Sequence, residues 1–356
     1  MRVAYYYNMK ARLRHDDQNN NPYGSLLCEA LEQRGVGVEF SMAYDDNYLR
    51  ENRGRIDIIH LNWPHYVYYH DDVQIMTRQM REFVRWMQLA RDLGYKLVWT
   101  AHNLYPHNRT HQEIDQECRL EICRLATAII VHCQAAADDL AQFFGRSDRV
   151  FVIPHGHFLG IYTLPFTRSE ARTRLGIPAS GFVYATLGNV RPYKGIEALI
   201  DTFRWLPMAD AWLAISGGSK DAAYLESIRR LAGDQPRIVL RLSCPRPSNN
   251  DFLGVLQAAD VVVQPYVEAT TSGVLTLALS SSRAVIGPAL GCLPDMVTPA
   301  TGILYNPTED GALDRAMIAI RGYDLAEAGR AALRRLSSPR FNWDEIARLT
   351  IGAYKA

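Results

Sequence analysis

Short runs rich in β-branched residues alternate with amphipathic stretches along this chain, and the alternation starts over near the middle. Val3–Tyr7, Gly37–Ser41, Ile56–Leu61, Lys96–Thr100, Ala128–His132 and Val150–Ile153 read as strands, with helical patterns at about 22–34, 73–93, 110–125 and 134–144. A second series follows at Phe182–Leu187, Ala211–Ser216, Arg237–Leu242, Val261–Pro265 and Ala284–Gly287. Its helices are expected at about 194–206, 220–232, 250–258, 272–282 and 309–321. Such alternation specifies βαβ units, and hence an α/β fold with a parallel sheet covered by helices. Two series in 356 residues predict two doubly wound, Rossmann-like domains of similar size. The Gly/Pro-punctuated segment "IPHGHFLGIYTLPFTRS" suits the passage between them. The expected domains are 1–158 and 159–338, with a closing segment at 339–356. Ligands of such sheets bind beyond the carboxyl ends of the strands, so two facing domains predict a central cleft.

Composition narrows the function classes. With 39 basic and 38 acidic residues the formal net charge is +1, without the basic excess that marks nucleic-acid binders. No apolar run reaches the roughly 18 residues of a membrane span. The start, "MRVAYYYNMKARLRHDD", lacks the apolar core of a signal peptide, and six cysteines without a C-x-x-C pair read as reduced thiols of a cytoplasmic protein. In "IMTRQMREFVRWMQLARDL" Arg78, Arg81 and Arg85 share one helical face near Trp86. That strip reads either as a solvated face or as a peripheral contact with anionic lipid at the inner side of the cytoplasmic membrane.

Two strand-to-helix turns in the second half carry anion chemistry. In "GNVRPYKGIEALI" an apolar strand stops at Gly188, Arg191 and Lys194 follow, and a helix begins after Gly195. Helix N-termini attract anions through free N–H groups and the dipole, and the two cations add full charge. In "VVVQPYVEATTSGVLTLAL" a polar turn with Glu268, Thr271, Ser272 and Gly273 opens directly into an apolar helix. Thr271 or Ser272 fits as N-cap, leaving N–H groups for a diphosphate. Taken singly, the turns are equally a basic solvated loop and an ordinary cap; together they make a pyrophosphate-sized site. No dinucleotide or P-loop glycine pattern occurs. The pairs His155–His157 and His107–His111 lack further ligand partners at useful spacing, so no metal is expected.

All ten histidines precede residue 158, which concentrates proton-moving groups in the first half. Four loops at expected strand ends combine polar or imidazole groups with an aromatic residue or proline. They are 9–22 (with Asn21), 60–66 (His60, Trp63), 100–108 (His102, Asn103, His107) and 153–158 (His155, His157). Sugars are recognised by such chemistry, with CH faces on aromatic rings and hydroxyls in paired hydrogen bonds. A single buried histidine is more often a satisfied core residue.

The whole chain resembles the two-Rossmann-domain (GT-B) glycosyltransferases. The likeness rests on the Gly188–Lys194–Gly195 turn, "AADVVVQPY", "GCLPDMV", "TGILY" and the closing "FNWDEIARLTIGAY". "NPYGSLL", "HLNWPHY", "TAHNLYPH", "HGHF", "VRPYKGIEAL" and "SGVLTLALS" further resemble the xanthan-type bacterial exopolysaccharide β-mannosyltransferases. The resemblance implies a hexosyltransferase whose last helix packs back on the first domain. It implies a nucleotide diphosphate sugar donor, GDP-mannose favoured, and a glycan or polyprenyl-linked oligosaccharide acceptor, in polysaccharide or glycoconjugate synthesis. The donor would rest on Arg191, Lys194, Glu268, Thr271, Ser272 and Gly273, with its base near "SCPRPSNN". Asn21, His60, Trp63, Asn103 and His155 would bind substrate on the first domain. Retaining members carry a second Glu eight positions after the first, where this chain has Thr276. That departure favours inversion, and Arg191 stands in for a usual arginine replaced by Asn189. His102 is then the first candidate base, followed by His107 and His157. Alternatively His102 binds a donor hydroxyl, and His107, His157, Asp16 or Asp17 takes the proton. A retaining UDP-sugar transferase, a nucleotide-sugar epimerase and a non-catalytic cleft-binding protein complete the readings.

Overall fold

The computed structural model of the chain describes residues 1–6, 21–41, 45–106 and 111–356. It forms two compact units, Met1–Gly156 with Pro339–Ala356, and His157–Ser338.

In the first unit β1 (Arg2–Tyr6), β2 (Gly37–Ser41), β3 (Ile58–Asn62), β4 (Lys96–Thr100), β5 (Ala128–Val131) and β6 (Val150–Val152) form one six-stranded sheet. All pairs are parallel, in the order β2-β1-β3-β4-β5-β6. Every residue of β3 and β5 is buried, as expected where helices cover both faces. The closing helix Trp343–Lys355 belongs to this unit and packs on the helix Tyr23–Gln33 and on β4 and β5. Three contacts fix it. The Trp343 ring fills the space where a side chain at Gly156 would stand, 2.4 Å from that position. The Tyr354 hydroxyl lies 2.6 Å from His60 Nδ1. At the helix end the Lys96 ammonium donates to the carbonyls of Tyr354, Lys355 and Ala356 at 3.0–3.2 Å, where the dipole favours a cation.

In the second unit β7 (Phe182–Asn189), β8 (Ala211–Gly218), β9 (Ile238–Ser243), β10 (Val261–Val263), β11 (Ala284–Pro288) and β12 (Gly302–Tyr305) form a second parallel sheet, ordered β12-β11-β10-β7-β8-β9. Ile196, Leu199, Ile200 and Phe203 fall at helical spacing on the helix Ile196–Trp205 and are buried in the core with Leu213 and Ile215 of β8. Burial of each large side chain contributes roughly 1.5–3 kcal/mol. The strand order reverses between β1 and β3 in one sheet and between β7 and β10 in the other. Ligand crevices of doubly wound sheets open at such reversals.

Several features differ from the sequence expectation, among them the unforeseen twelve-residue helix Leu325–Leu336. β12 is a strand, four residues long and at the sheet edge, too short to show periodicity. The helix Arg168–Leu175, opened by a capping box between Thr167 and Glu170, starts at the end of the expected connection and was not among the expected helices. The compact units divide after Gly156, so His157 lies in the second.

The arginine strip also changes character. On the helix Val73–Asp92 Trp86 is only 1% exposed, because it shares the inward face with Met76, Met80, Phe83 and Met87. Arg85 is paired with Asp46 at 2.7 Å, while Arg78 and Arg81 stay exposed. The strip therefore presents no interfacial aromatic. Among the described residues no helix is long and apolar enough to cross a membrane.

Candidate functional site

The carboxyl ends of β7 and β10 flank the reversal in the second sheet, and both anion-type turns stand there. β7 ends through Gly188, whose φ of 117° is accessible chiefly to glycine. A short turn, Pro192–Lys194, follows, and Gly195 (φ 65°) starts the helix Ile196–Trp205. Any Cβ at Gly195 would lie 2.0 Å from the Pro265 carbonyl oxygen, so this glycine lets the β7 turn touch the β10 turn. Val267 N–H donates to the Tyr193 carbonyl at 2.9 Å and joins them further.

Lys194 is held where the turns meet. Its ammonium donates to the Tyr266 hydroxyl at 3.1 Å and lies 4.3 Å from the centre of the Tyr266 ring. The Tyr193 ring is 5.2 Å away on another side. Burial lowers the Lys194 pKa, opposed by Tyr193 and reinforced by the nearby Arg191. The Tyr266 hydroxyl is also 2.6 Å from Ser272 Oγ, and Ser272 caps the helix Gly273–Ser280 by accepting from Leu275 N–H at 3.1 Å. Other N–H groups of that first turn have no intrahelical acceptor. Arg191 is partly exposed, with no hydrogen bond or ion pair to a described side chain. The Thr271 hydroxyl is buried without a partner among the described residues. Glu268 is exposed in the same turn. Thr276 is fully buried and donates to the Ser272 carbonyl at 3.1 Å, so the helix interior takes the place where a second carboxylate would stand. In "SCPRPSNN" Ser248 caps the helix Asn249–Ala258.

At the same edge of the first sheet, the strand ends carry a chain of imidazoles. His132, after β5, places Nδ1 2.9 Å from the Ile153 carbonyl and Nε2 3.0 Å from His102 Nδ1. His102, after β4, places Nε2 3.1 Å from Asn62 Oδ1 at the end of β3. Burial holds His132 down to about 4 and His102 well below 6.5, where His132, His155 and His60 add to the effect. Both rings are neutral at pH 7. The Ile153 carbonyl only accepts, so the His132 hydrogen sits on Nδ1 and its Nε2 accepts from His102 Nδ1–H. His102 Nε2 then needs a donor. Asn62 Nδ2 has no partner among the described residues, and turning the amide over brings that N–H onto the ring.

These contacts correct several expectations. His102 is 2% exposed with both nitrogens committed, so it offers no open lone pair for an incoming proton. Its ring instead supports Trp63, which stacks on it at 4.3 Å with 11° between the planes. Trp63 holds this place with φ 42°, an uncommon conformation for a non-glycine residue and one that clusters at functional sites. His60 is fully buried between Thr100 Oγ1 (2.7 Å) and Tyr354, with both ring nitrogens in hydrogen-bond contact. His155 is 4% exposed, held by the Gly156 carbonyl at 2.8 Å and packed on Tyr23. His157 lies in the other unit and accepts from Leu159 N–H at 3.2 Å. Asn103 is partly exposed beside His102; exposed Asn21 accepts from Tyr23 N–H at 3.0 Å. His107, Asp16 and Asp17 lie outside the described residues. Among the described residues no group of three His, Cys, Asp or Glu side chains converges as a metal site.

Sequence reasoning missed Tyr266, Asn62, His132 and Arg119. Arg119 is buried on the helix Gln112–Leu125 and donates to the Leu104 carbonyl at 2.8 Å, fixing the loop after β4. The signals were faint: a tyrosine after a proline, and polar residues inside apolar runs.

Comparison with known proteins gives concordant matches. The model described as Glycosyltransferase Family 4 matches residues 40–157, and that described as Glycosyl transferases group 1 matches residues 181–321. A GDP-mannose:glycolipid 4-beta-D-mannosyltransferase of Xanthomonas campestris pv. campestris is 29% identical over 312 residues, covering 84% of this chain and 80% of the relative. A D-inositol 3-phosphate glycosyltransferase of Xylanimonas cellulosilytica is 28% identical over 249 residues, or 66% of this chain; the match spans 58% of that relative's length. Among solved structures, Anabaena HepE in complex with UDP and glucose aligns with TM-score 0.72 at 17% identity, covering 99% of each chain. Sucrose-phosphate synthase from Thermosynechococcus elongatus aligns with TM-score 0.69 at 20% identity, covering 99% of this chain and 98% of that one. At these identities the structural likeness speaks for the fold.

Proposed function

The chain belongs to the GT-B glycosyltransferases, and from that premise we propose that it transfers mannose from GDP-mannose to a hydroxyl of a glycan or lipid-linked oligosaccharide, with inversion. The observation that carries the reading is the meeting of Lys194 with the Ser272-capped helix start at the reversal of the second sheet. Arg191 and Lys194 supply charge and the helix start supplies N–H donors, a set matched to a diphosphate. As the glycosidic bond to the donor breaks, the leaving diphosphate gains charge that these groups stabilise in place. The acceptor is taken by the first unit, where Trp63 offers an aromatic face and Asn103 an amide. Of the expected bases, His157 has its pKa lowered by burial, so its imidazole is neutral at pH 7 and able to accept a proton. The absence of a carboxylate at position 276 supports inversion, and the GDP-mannose relative supports the donor. A thermal-shift panel of GDP, UDP, dTDP and their sugars tests the proposal, since a ligand that binds the native state raises its apparent stability. GDP and GDP-mannose are expected to stabilise most; a preference for UDP compounds removes the mannosyl reading.

A further inference from the structure

We infer that Tyr266 is a positioning residue of the donor site, acting through its hydroxyl to hold Lys194 and Ser272 toward one anionic group; this rests on the diphosphate reading above. The geometry dictates the direction of every hydrogen in the relay. An ammonium can only donate, so the Lys194–Tyr266 contact at 3.1 Å uses a lone pair of the phenol oxygen. The phenol's single hydrogen must go elsewhere, and Ser272 Oγ stands 2.6 Å away. Tyr266 is 3% exposed, so a hydrogen aimed at nothing would be a buried unmet donor. Ser272 Oγ thus accepts twice, from Tyr266 and from Leu275 N–H at 3.1 Å. Its own hydrogen is left to donate at the open start of the helix Gly273–Ser280.

The phenol therefore does two things that a phenylalanine of the same shape would not. It gives the ammonium an acceptor inside a partly buried cage of Tyr193 and Tyr266 rings, and it turns the serine into a donor toward an anion. Gly188 completes the cage: a Cβ there would meet Val274 Cγ2 at 3.1 Å and Lys194 Nζ at 3.8 Å. Among the described residues, the charged and titratable groups facing Lys194 are Tyr193 and Arg191 from its own turn and Tyr266 from the β10 turn. Tyr193 also supports the ammonium, and removing the Tyr266 oxygen takes away its acceptor at 3.1 Å while leaving the burial that opposes the charge. The lysine then loses its proton at lower pH.

The test is GDP titration by calorimetry between pH 7 and 10 on the wild type, Tyr266→Phe, Ser272→Ala and the double variant. Tyr266→Phe keeps the buried ring, and a matching melting profile establishes that it is folded. The inference expects roughly tenfold weaker GDP binding in Tyr266→Phe. It also expects the alkaline decline in affinity to move to lower pH, and the double variant to lose less than the sum of the single losses. A Tyr266→Phe protein with wild-type affinity and an unmoved alkaline decline overturns it and leaves the diphosphate reading standing. Additive losses in the double variant overturn the relay. A wild type that binds no nucleoside diphosphate removes the reading and this inference together.

Discussion

His102 Nδ1 donates to His132 Nε2 across 3.0 Å, and that one hydrogen fixes the state of both rings. His132 is anchored by the Ile153 carbonyl, so the chain of donors runs from Asn62 through His102 to His132 and ends on the backbone. An imidazole locked in this way supports its neighbours and does not receive a proton from solvent. His102→Ala should therefore raise KM for the acceptor, through loss of the Trp63 stack, more than it lowers kcat. Steady-state kinetics separates the two effects. A fall in kcat of about 10²–10⁴ at unchanged acceptor KM would give His102 the role of base.

The same burial predicts how stability depends on pH. His60 and His155 are held down to about 3, His132 to about 4, and His102 well below its ordinary 6.5. In the unfolded chain each protonates near 6.5, so the unfolded state binds more protons as pH falls. Stability is then complete above about 6.5 and declines as pH drops toward the native values, by up to about 1.4 kcal/mol per pH unit for each histidine. Urea unfolding followed from pH 8 to pH 5 should show this decline. A flat profile would mean that these rings are not buried as neutral groups.

Tyr354→Phe tests the lock between the closing helix and β3. Removing the hydroxyl leaves His60 Nδ1 buried without a partner, at a cost of about 1–3 kcal/mol. Denaturant unfolding of the variant measures it, and an unchanged midpoint contradicts the packing described for the C-terminal helix.

Much of the fold was legible in the sequence because apolar periodicity and Gly/Pro punctuation are local. The two series of strands and the helix starts at Ser272 and Gly195 follow from such signals, while the closing helix was implied by the family resemblance. The Thr167–Glu170 box was equally readable and marks a helix at the end of the expected connection. What sequence could not convey was which histidines were spoken for. His60 and His155 stand in motifs that look like sugar-binding loops, yet both are buried, with partners up to 294 positions away. Tyr266 was hidden for the same reason: its hydroxyl meets a partner 72 residues away, at Lys194.

The proposal of inversion rests on Thr276, in the helix Gly273–Ser280 after the β10 turn. Thr276 is fully buried and donates to the Ser272 carbonyl, so a carboxylate there would carry its charge into a buried site. The account predicts a β-linked product from the α-linked donor, read from the coupling at the new anomeric centre by NMR. It also predicts that Thr276→Glu lowers the melting temperature and does not yield α-product. An α-product from the wild type contradicts inversion.

The central claim is that Arg191 and Lys194 hold the donor diphosphate on the second unit. Calorimetric titration of GDP into the wild type, Arg191→Ala and Lys194→Ala addresses it without needing the acceptor. Losing a charge-assisted contact costs about 1.5–3 kcal/mol, so each variant should bind roughly 10- to 100-fold more weakly. Wild-type affinity in both variants would contradict the account.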